Sequence, residues 1–263
     1  MRRIALATGA ELAVHEYGGG EPVLLLHAWG ETHRIFDRLV PLLPGTLHLI
    51  VPDQRGVGES SKPADGYALL DAADDLVALL DAMELDACWL VGTSSGGYVA
   101  QQVAVNHPER VRGLVLVGAP SNLRQVSSGF LGDLLSAFHD PVTRADITTL
   151  NGALPLHTAV PDTFLEDQVT AALTIPKGVW CAGFEGLRTA EPPIQSGPID
   201  VPALILWGAE EDVLPSDQVH ELAAAIDGSR LVTYEGTGHL LLCERPERVA
   251  DDVAAFIAGH RPT

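Results

Sequence analysis

The chain has 263 residues, 46% of them hydrophobic and 19% charged, with 35 Asp and Glu against 16 Lys and Arg for a formal charge of −19. That composition can bury a sizeable core in one large domain or a domain with an insertion, and it excludes intrinsic disorder. The acidity opposes phosphate backbones and anionic lipid, which excludes a nucleic-acid binder and a polybasic membrane protein.

Two short strands, 4–7 and 12–15, are predicted around a Gly9-Ala10 turn. The basic start, Arg2 and Arg3, is not followed by the apolar run and cleavage site of a secretory leader. From residue 22 short apolar runs alternate with longer stretches of helical period. The runs 22–26, 47–51, 87–91 and 114–117 are continuously apolar, the pattern of parallel strands covered on both faces. Between the second and third of them, Leu69, Ala73, Leu76, Leu79, Leu80 and Met83 predict a helix, with Asp71, Asp74, Asp75 and Asp81 opposite. Two more units close the chain: a strand at 204–207 with a helix near 216–226, and a strand at 231–234 with a helix near 246–258. These apolar runs are far shorter than the roughly 20 residues a membrane helix needs. Cys88, Cys181 and Cys243 are odd in number and widely spaced, so neither a disulfide framework nor a CxxC metal pair is expected. A soluble cytoplasmic protein is the expectation.

The alternation breaks at 121–199. Apolar residues recur there at helical spacing, interrupted by Pro141, Pro155, Pro161 and Pro176, and the stretch ends in Pro192-Pro193 and Gly197-Pro198. The expected division is an α/β core of residues 1–120 and 200–263 with a helical lid at 121–199. Ligands of open α/β sheets bind at the carboxyl edge of the strands, which is where such a lid would sit.

The sharpest local signal is Gly92-Thr93-Ser94-Ser95-Gly96-Gly97, directly after an apolar strand and before a helical run over 99–105. A nucleophile on a tight strand-to-helix turn needs small residues two places to either side. Gly92 and Gly96 supply them for Ser94, whose side chain the turn pushes into the cleft. Ser95 has Thr93 in the corresponding place, so Ser94 is the better nucleophile. The following helix aims free amides at the same point and favours developing negative charge. A serine needs a base, and among ten histidines His239, in the loop Gly236-Thr237-Gly238-His239, is placed to reach back over the sheet. His15 and His48 fall in strands, His107 at a helix end, and His220 and His260 on helices. The sequence holds no HExxH or other ligand spacing, so no metal is expected.

Four motifs in order resemble the α/β-hydrolase superfamily, in its epoxide-hydrolase-like serine esterase and lactonase branch. They are His27-Ala28-Trp29-Gly30, the segment Asp53-Gln54-Arg55-Gly56-Val57-Gly58-Glu59-Ser60, the turn around Ser94, and Gly238-His239 followed by Glu244-Arg245-Pro246. The resemblance implies a mostly parallel twisted sheet of about eight strands with helices on both faces. It implies Ser94 as nucleophile, His239 as general base, and an oxyanion hole from the backbone N–H groups of Trp29 and Ser95. Ala28 stands where the family usually has Gly. Asp53 and Arg55 are read as ties between loops beneath the site. The family spacing after strand seven, from Gly208 to Pro215, points to Glu211 as the triad acid. The commoner residue type points to the adjacent Asp212, and both remain candidates.

The expected function is a serine hydrolase that cleaves a carboxylic ester or lactone, a small-molecule substrate, without a cofactor. Haloalkane dehalogenases and epoxide hydrolases attack with aspartate, so serine at 94 excludes those branches. Hydrolases of carbon–carbon bonds in dienoates resemble the chain overall but usually carry a glycine-rich sequence after strand three, which residues 27–31 do not match. Trp180 and Phe184, with Phe130 and Phe138, either form an apolar substrate wall or pack the lid on itself. Arg124, Arg144 and Arg188 either clamp a substrate carboxylate or pair on the surface. A small-ligand receptor built on the same fold and a cofactor-free perhydrolase are the alternative functions.

Overall fold

The computed structural model describes residues 1–125 and 128–260, the side chains of 125–130 excepted. Its eight strands are β1 (Arg2–Ala5), β2 (Glu11–Gly18), β3 (Glu21–Leu26), β4 (Leu47–Pro52), β5 (Cys88–Thr93), β6 (Val111–Val117), β7 (Ala203–Gly208) and β8 (Arg230–Tyr234). They form one sheet in the order β1-β2-β4-β3-β5-β6-β7-β8. The β1–β2 and β2–β4 pairs are antiparallel, and every pair from β4 to β8 is parallel.

Why the parallel strands read as unbroken apolar runs is plain from the packing. Successive side chains of a strand point to opposite faces, and here both faces are covered. Leu24 and Leu26 of β3, Leu90 of β5, Leu114 and Leu116 of β6 and Ile205 of β7 enter one core, with α1 (Leu69–Ala82) and α2 (Ser95–Asn106). Val23, Leu25, Trp89, Val91, Val115, Val117, Leu204 and Leu206 enter the other. Each leucine of the 24–26 run has no exposed surface, and burying one stabilises the fold by about 1.5–3 kcal/mol relative to leaving it in water. The mostly parallel, two-sided sheet expected from the sequence is the one observed.

Among the described residues five α-helices lie between β6 and β7: α3 (Ser128–Ala137), α4 (Arg144–Asn151), α5 (Asp162–Ala172), α6 (Lys177–Thr189) and α7 (Pro193–Ser196). α3 to α6 and their connections share an apolar cluster of their own, including Leu135, Phe138, Val142, Ile147, Ile175, Val179 and Trp180, which also takes in Val57 from the loop after β4, whereas Ile194 of α7 packs against the first core. Three helices follow in the last third: α8 (Gln218–Ala225), α9 (Leu241–Glu244) and α10 (Pro246–Gly259). α10 packs into the second core through Val249, Val253, Phe256 and Ile257. Among the described residues no helix is long and apolar enough to cross a membrane.

Strand order decides where a site can open. The chain runs β3 to β4 on one side, then returns past β3 to β5 on the other. Loops leaving the carboxyl ends of β3 and β5 therefore diverge, and the crevice between them is the usual ligand position of such sheets.

Candidate active site

Ser94 occupies the point where β5 turns into α2, with φ +47° and ψ −123°. A side-chain-bearing residue in that region costs of order 1–3 kcal/mol and persists only when its surroundings hold it. Here the Ser94 N–H donates to the Val117 carbonyl at 2.8 Å, and its carbonyl accepts from Gly97 N–H at 2.8 Å. A Cβ on Gly92 would stand 2.5 Å from the Gly96 carbonyl oxygen, and one on Gly96 would stand 2.6 Å from that of His27. Both glycines are thus required by the close approach of backbone around the serine.

The partners of Ser94 come from the loops after β7 and β8, which lie against each other. Glu210 N–H donates to the Thr237 carbonyl at 3.0 Å, and Glu244 of α9 accepts the Gly238 N–H at 3.0 Å. This sets His239 with its Nε2 3.0 Å from Ser94 Oγ and its Nδ1 2.7 Å from Glu211 Oε2. The His239 and Glu211 side chains are only 6% and 2% exposed. The other oxygen of Glu211 accepts the amides of Val213 at 2.7 Å and Leu214 at 3.0 Å. Burial alone would raise the Glu211 carboxyl, but the hydrogen bond and charge of His239, with the two amides, hold it below its ordinary value. An ionised Glu211 accepts from Nδ1–H, which leaves Nε2 with the lone pair that can take the Ser94 proton.

Of the two acid candidates, the structure brings only Glu211 to the histidine. Asp212 turns outward, its side chain 56% exposed, to His157 Nε2 at 3.2 Å. His157 N–H in turn donates to Glu244 Oε2 at 3.0 Å, so Asp212 belongs to the outer support of the loop that carries His239.

The loop after β3 forms the opposite wall. The positive φ it needs falls on Gly30, at +79°, and Ala28 is not among the positive-φ residues. Alanine in place of the usual glycine therefore carries no backbone penalty. Ala28 N–H donates to Glu31 Oε2 at 2.8 Å, and Trp29 N–H donates to Ser95 Oγ at 2.7 Å. Burial pushes the Glu31 carboxyl up to about 7, against the pull of the Ala28 amide and of His239. Sequence reasoning missed Glu31, because an acidic residue next to a loop glycine reads as solvated.

Beneath the site the Asp53–Ser60 segment ties loops together. Asp53 is fully buried and accepts from the backbone and ring N–H of His33, both at 2.8 Å, and from Glu59 N–H at 2.9 Å. Burial would raise its carboxyl, but these donors hold it at about 2. Arg55 meets Asp75 of α1 in a two-pronged pair at 2.7 and 2.6 Å. His27 has the same kind of role: Nδ1–H donates to the Ala28 carbonyl at 2.8 Å and Nε2 accepts Gln54 N–H at 3.0 Å.

A cluster of possible metal ligands, His15, His33 and Asp53, has one ligand atom from each within 4.8 Å of the others. It escaped the sequence reading because its members come from three separate segments. The two imidazoles are stacked at 3.8 Å with an interplanar angle of 17°, so their in-plane lone pairs run side by side and do not converge on one ion. Asp53 Oδ1 is already taken by both N–H groups of His33. The cluster reads as loop support.

Of the two readings left open for Trp180, its surroundings match packing of the lid. It is 2% exposed, its ring stands edge-on to Trp29 and Phe138, and its carbonyl accepts the Trp29 indole N–H at 3.0 Å. Phe184 is partly buried and leans on Trp29 at 5.4 Å. Phe138 is buried at 3% exposure; the side chain of Phe130 lies outside the described residues. A cavity of about 90 Å³ does open behind the β3 loop, where Ala28, Trp29 and Ser95 face Val179, Gly183 and Leu187 of α6. Neither Trp180 nor Phe184 lines it. The three arginines pair locally, Arg124 with Glu191, Arg144 with Glu166 and Arg188 with Glu185.

Residues 21–246 match the family model described as alpha/beta hydrolase fold. The chain is 29% identical to a 2-hydroxymuconate semialdehyde hydrolase of Pseudomonas sp. (strain CF600), over 97% of this chain and 93% of that protein. It is also 29% identical to a pimeloyl-[acyl-carrier protein] methyl ester esterase of Neisseria meningitidis serogroup B, over 90% of this chain and 93% of that one. Among solved structures it superposes on an esterase from Exiguobacterium antarcticum with a TM-score of 0.86, 22% identity, and coverage of 97% of this chain and 98% of that chain. At that identity the last likeness speaks for the fold alone.

Proposed function

The chain belongs to the alpha/beta hydrolase fold family and is a hydrolase, and from that premise we propose that it cleaves a carboxylic ester or lactone through an acyl-enzyme on Ser94. The observation that carries this reading is the continuous chain of contacts from Ser94 Oγ through His239 to Glu211, at 3.0 and 2.7 Å. Ser94 Oγ attacks the carbonyl carbon while His239 Nε2 takes its proton. The amides of Ser95 and Trp29 receive the developing oxyanion, and Glu211 stabilises the imidazolium. Collapse of the tetrahedral intermediate breaks the bond to the leaving oxygen, which His239 protonates. Water, activated by the same histidine, then releases the acid. Every proton moved in this cycle has a group on the chain to hold it, so the chemistry asks for no cofactor. The helical segment 121–199 serves as the lid over the core formed by 1–120 and 200–263.

The identity to a methyl ester esterase supports the ester reading. The equal identity to a 2-hydroxymuconate semialdehyde hydrolase favours a second one, hydrolysis of such a semialdehyde by the same serine. One experiment separates them: short- and medium-chain p-nitrophenyl esters, a set of lactones, and 2-hydroxymuconate semialdehyde, each with wild type and Ser94→Ala. Ester or lactone turnover that falls at least about 10³-fold in the variant supports the proposal. Turnover of the semialdehyde alone supports the second reading. Inertness toward the whole panel contradicts both and favours a receptor role, which ligand-induced shifts in Tm would then examine.

A further inference from the structure

Ser95 is the first residue of α2, so its backbone N–H has no partner within the helix. Its side chain is buried, the residue being 8% exposed. The hydroxyl oxygen is not idle: it accepts the Trp29 N–H at 2.7 Å, the very amide that the acyl-transfer reading places in the oxyanion hole. A hydroxyl has one O–H to give and two lone pairs. Accepting from Trp29 uses one lone pair, and among the described residues the O–H itself donates no hydrogen bond. The oxygen therefore bridges the two walls of the hole with its proton uncommitted. An oxygen that accepts a hydrogen bond becomes a better donor through its own O–H, because the two bonds polarise each other.

We propose that the Ser95 hydroxyl is a third donor of the oxyanion hole, a catalytic residue that passes the Trp29 N–H hydrogen bond on to the reacting oxygen through its own O–H. The proposal rests on the acyl-transfer reading given above. No covalent bond to Ser95 forms or breaks. The O–H turns toward the carbonyl oxygen as negative charge develops there, while the Trp29 N–H, then shared between the Ser95 oxygen and the oxyanion, keeps the Ser95 oxygen in place. Serine at this position then acts on the transition state, where charge is present, more than on the bound ester, where it is not.

The test compares wild type, Ser95→Ala and Ser95→Thr on an ester or lactone that wild type turns over, with Tm recorded for each. Phenylboronic acid provides a second readout. Its boron forms one bond to Ser94 Oγ, the serine proton passes to His239, and a boronate oxygen enters the hole. The expected result is a kcat about 10–10²-fold lower in Ser95→Ala with KM within about threefold, in line with the loss of one donor from such a hole. The inhibition constant of phenylboronic acid should weaken by a similar factor, and Ser95→Thr, which keeps a hydroxyl, should recover most of both. An unchanged kcat in Ser95→Ala overturns the proposal, since the hydroxyl would then only fill space. A raised kcat overturns it in the other direction, since the hydroxyl would then be blocking the Trp29 amide. If wild type turns over neither ester nor lactone, the acyl-transfer reading itself fails, an outcome distinct from an active enzyme indifferent to Ser95.

Discussion

Replacing Glu211 by Gln should remove nearly all turnover while leaving the fold in place. Glu211 Oε1 accepts the amides of Val213 and Leu214 at 2.7 and 3.0 Å, and Oε2 faces His239 Nδ1 at 2.7 Å. Glutamine has one acceptor oxygen, and two fixed amide donors claim it, so its NH₂ is turned onto Nδ1. His239 must then offer a lone pair at Nδ1 and carry its proton on Nε2, the atom 3.0 Å from Ser94 Oγ. A protonated Nε2 cannot accept the serine proton. In the serine-protease arrangement the corresponding amide lowers kcat about 10⁴-fold. A loss of about 10³–10⁴-fold is expected here, which is about 4–5.5 kcal/mol of barrier. Asp212→Asn is the matched control: its side chain is 56% exposed and reaches only His157, and its effect should stay within about twofold. Steady-state hydrolysis of a p-nitrophenyl ester measures all three proteins, with Tm as the check on folding. If Asp212→Asn produced the large loss and Glu211→Gln did not, the tautomer argument would be refuted.

Other substitutions probe the support around the site. Glu31→Gln removes a carboxyl that stands at about 7 in the folded chain against an ordinary 4.5. The stability tied to its protonated form is complete below pH 4.5 and lost as pH rises through about 7. The variant should therefore gain on wild type across that window, by at most about 3 kcal/mol. Urea midpoints at pH 5 and 8.5 measure it, and an identical difference at both would contradict the burial argument. Gly96→Ala brings a Cβ to within 2.6 Å of the His27 carbonyl and should cost about 1–3 kcal/mol of stability; an unchanged Tm would mean that the β3 loop yields freely. Asp75→Ala leaves the largely buried Arg55 guanidinium, 12% exposed, without its counter-charge, at about 3–5 kcal/mol. A urea-unfolding loss below about 1 kcal/mol would show that water reaches Arg55.

The parallel strands were legible because covering a sheet on both faces writes an unbroken apolar run such as 22–26, and α1 was legible from its apolar stripe, although Asp75, one of the four aspartates expected opposite it, is buried against Arg55. The turn around Ser94 was legible because tight backbone approach leaves glycines at fixed offsets. Glu211 and Asp212 were not separable, since a one-residue difference in a loop says nothing of which side chain turns inward. What separates them is two backbone amides three-dimensionally placed at Val213 and Leu214. Trp180 was left between a substrate wall and lid packing for a related reason: helical spacing marks an apolar face without saying what meets it, and what meets it is the Trp29 ring. The four-residue α9 is too short to show a period, yet its Glu244 holds both Gly238 and His157. Asp53 was legible as a loop tie, but its meeting with His15 and His33 depends on three separate segments and left no local trace.

The central claim is that Ser94 Oγ is the atom that becomes acylated, and covalent trapping tests it most directly. A p-nitrophenyl alkylphosphonate reacts with an activated serine by forming one P–O bond as the bond to p-nitrophenolate breaks, the serine proton passing to the histidine. Peptide mapping by mass spectrometry then locates the phosphonyl group. The account predicts one group per chain on Ser94, p-nitrophenolate released in equal amount, and activity lost in step, with no labelling of Ser94→Ala. A label on Ser95, or ester turnover that survives in Ser94→Ala, would contradict it.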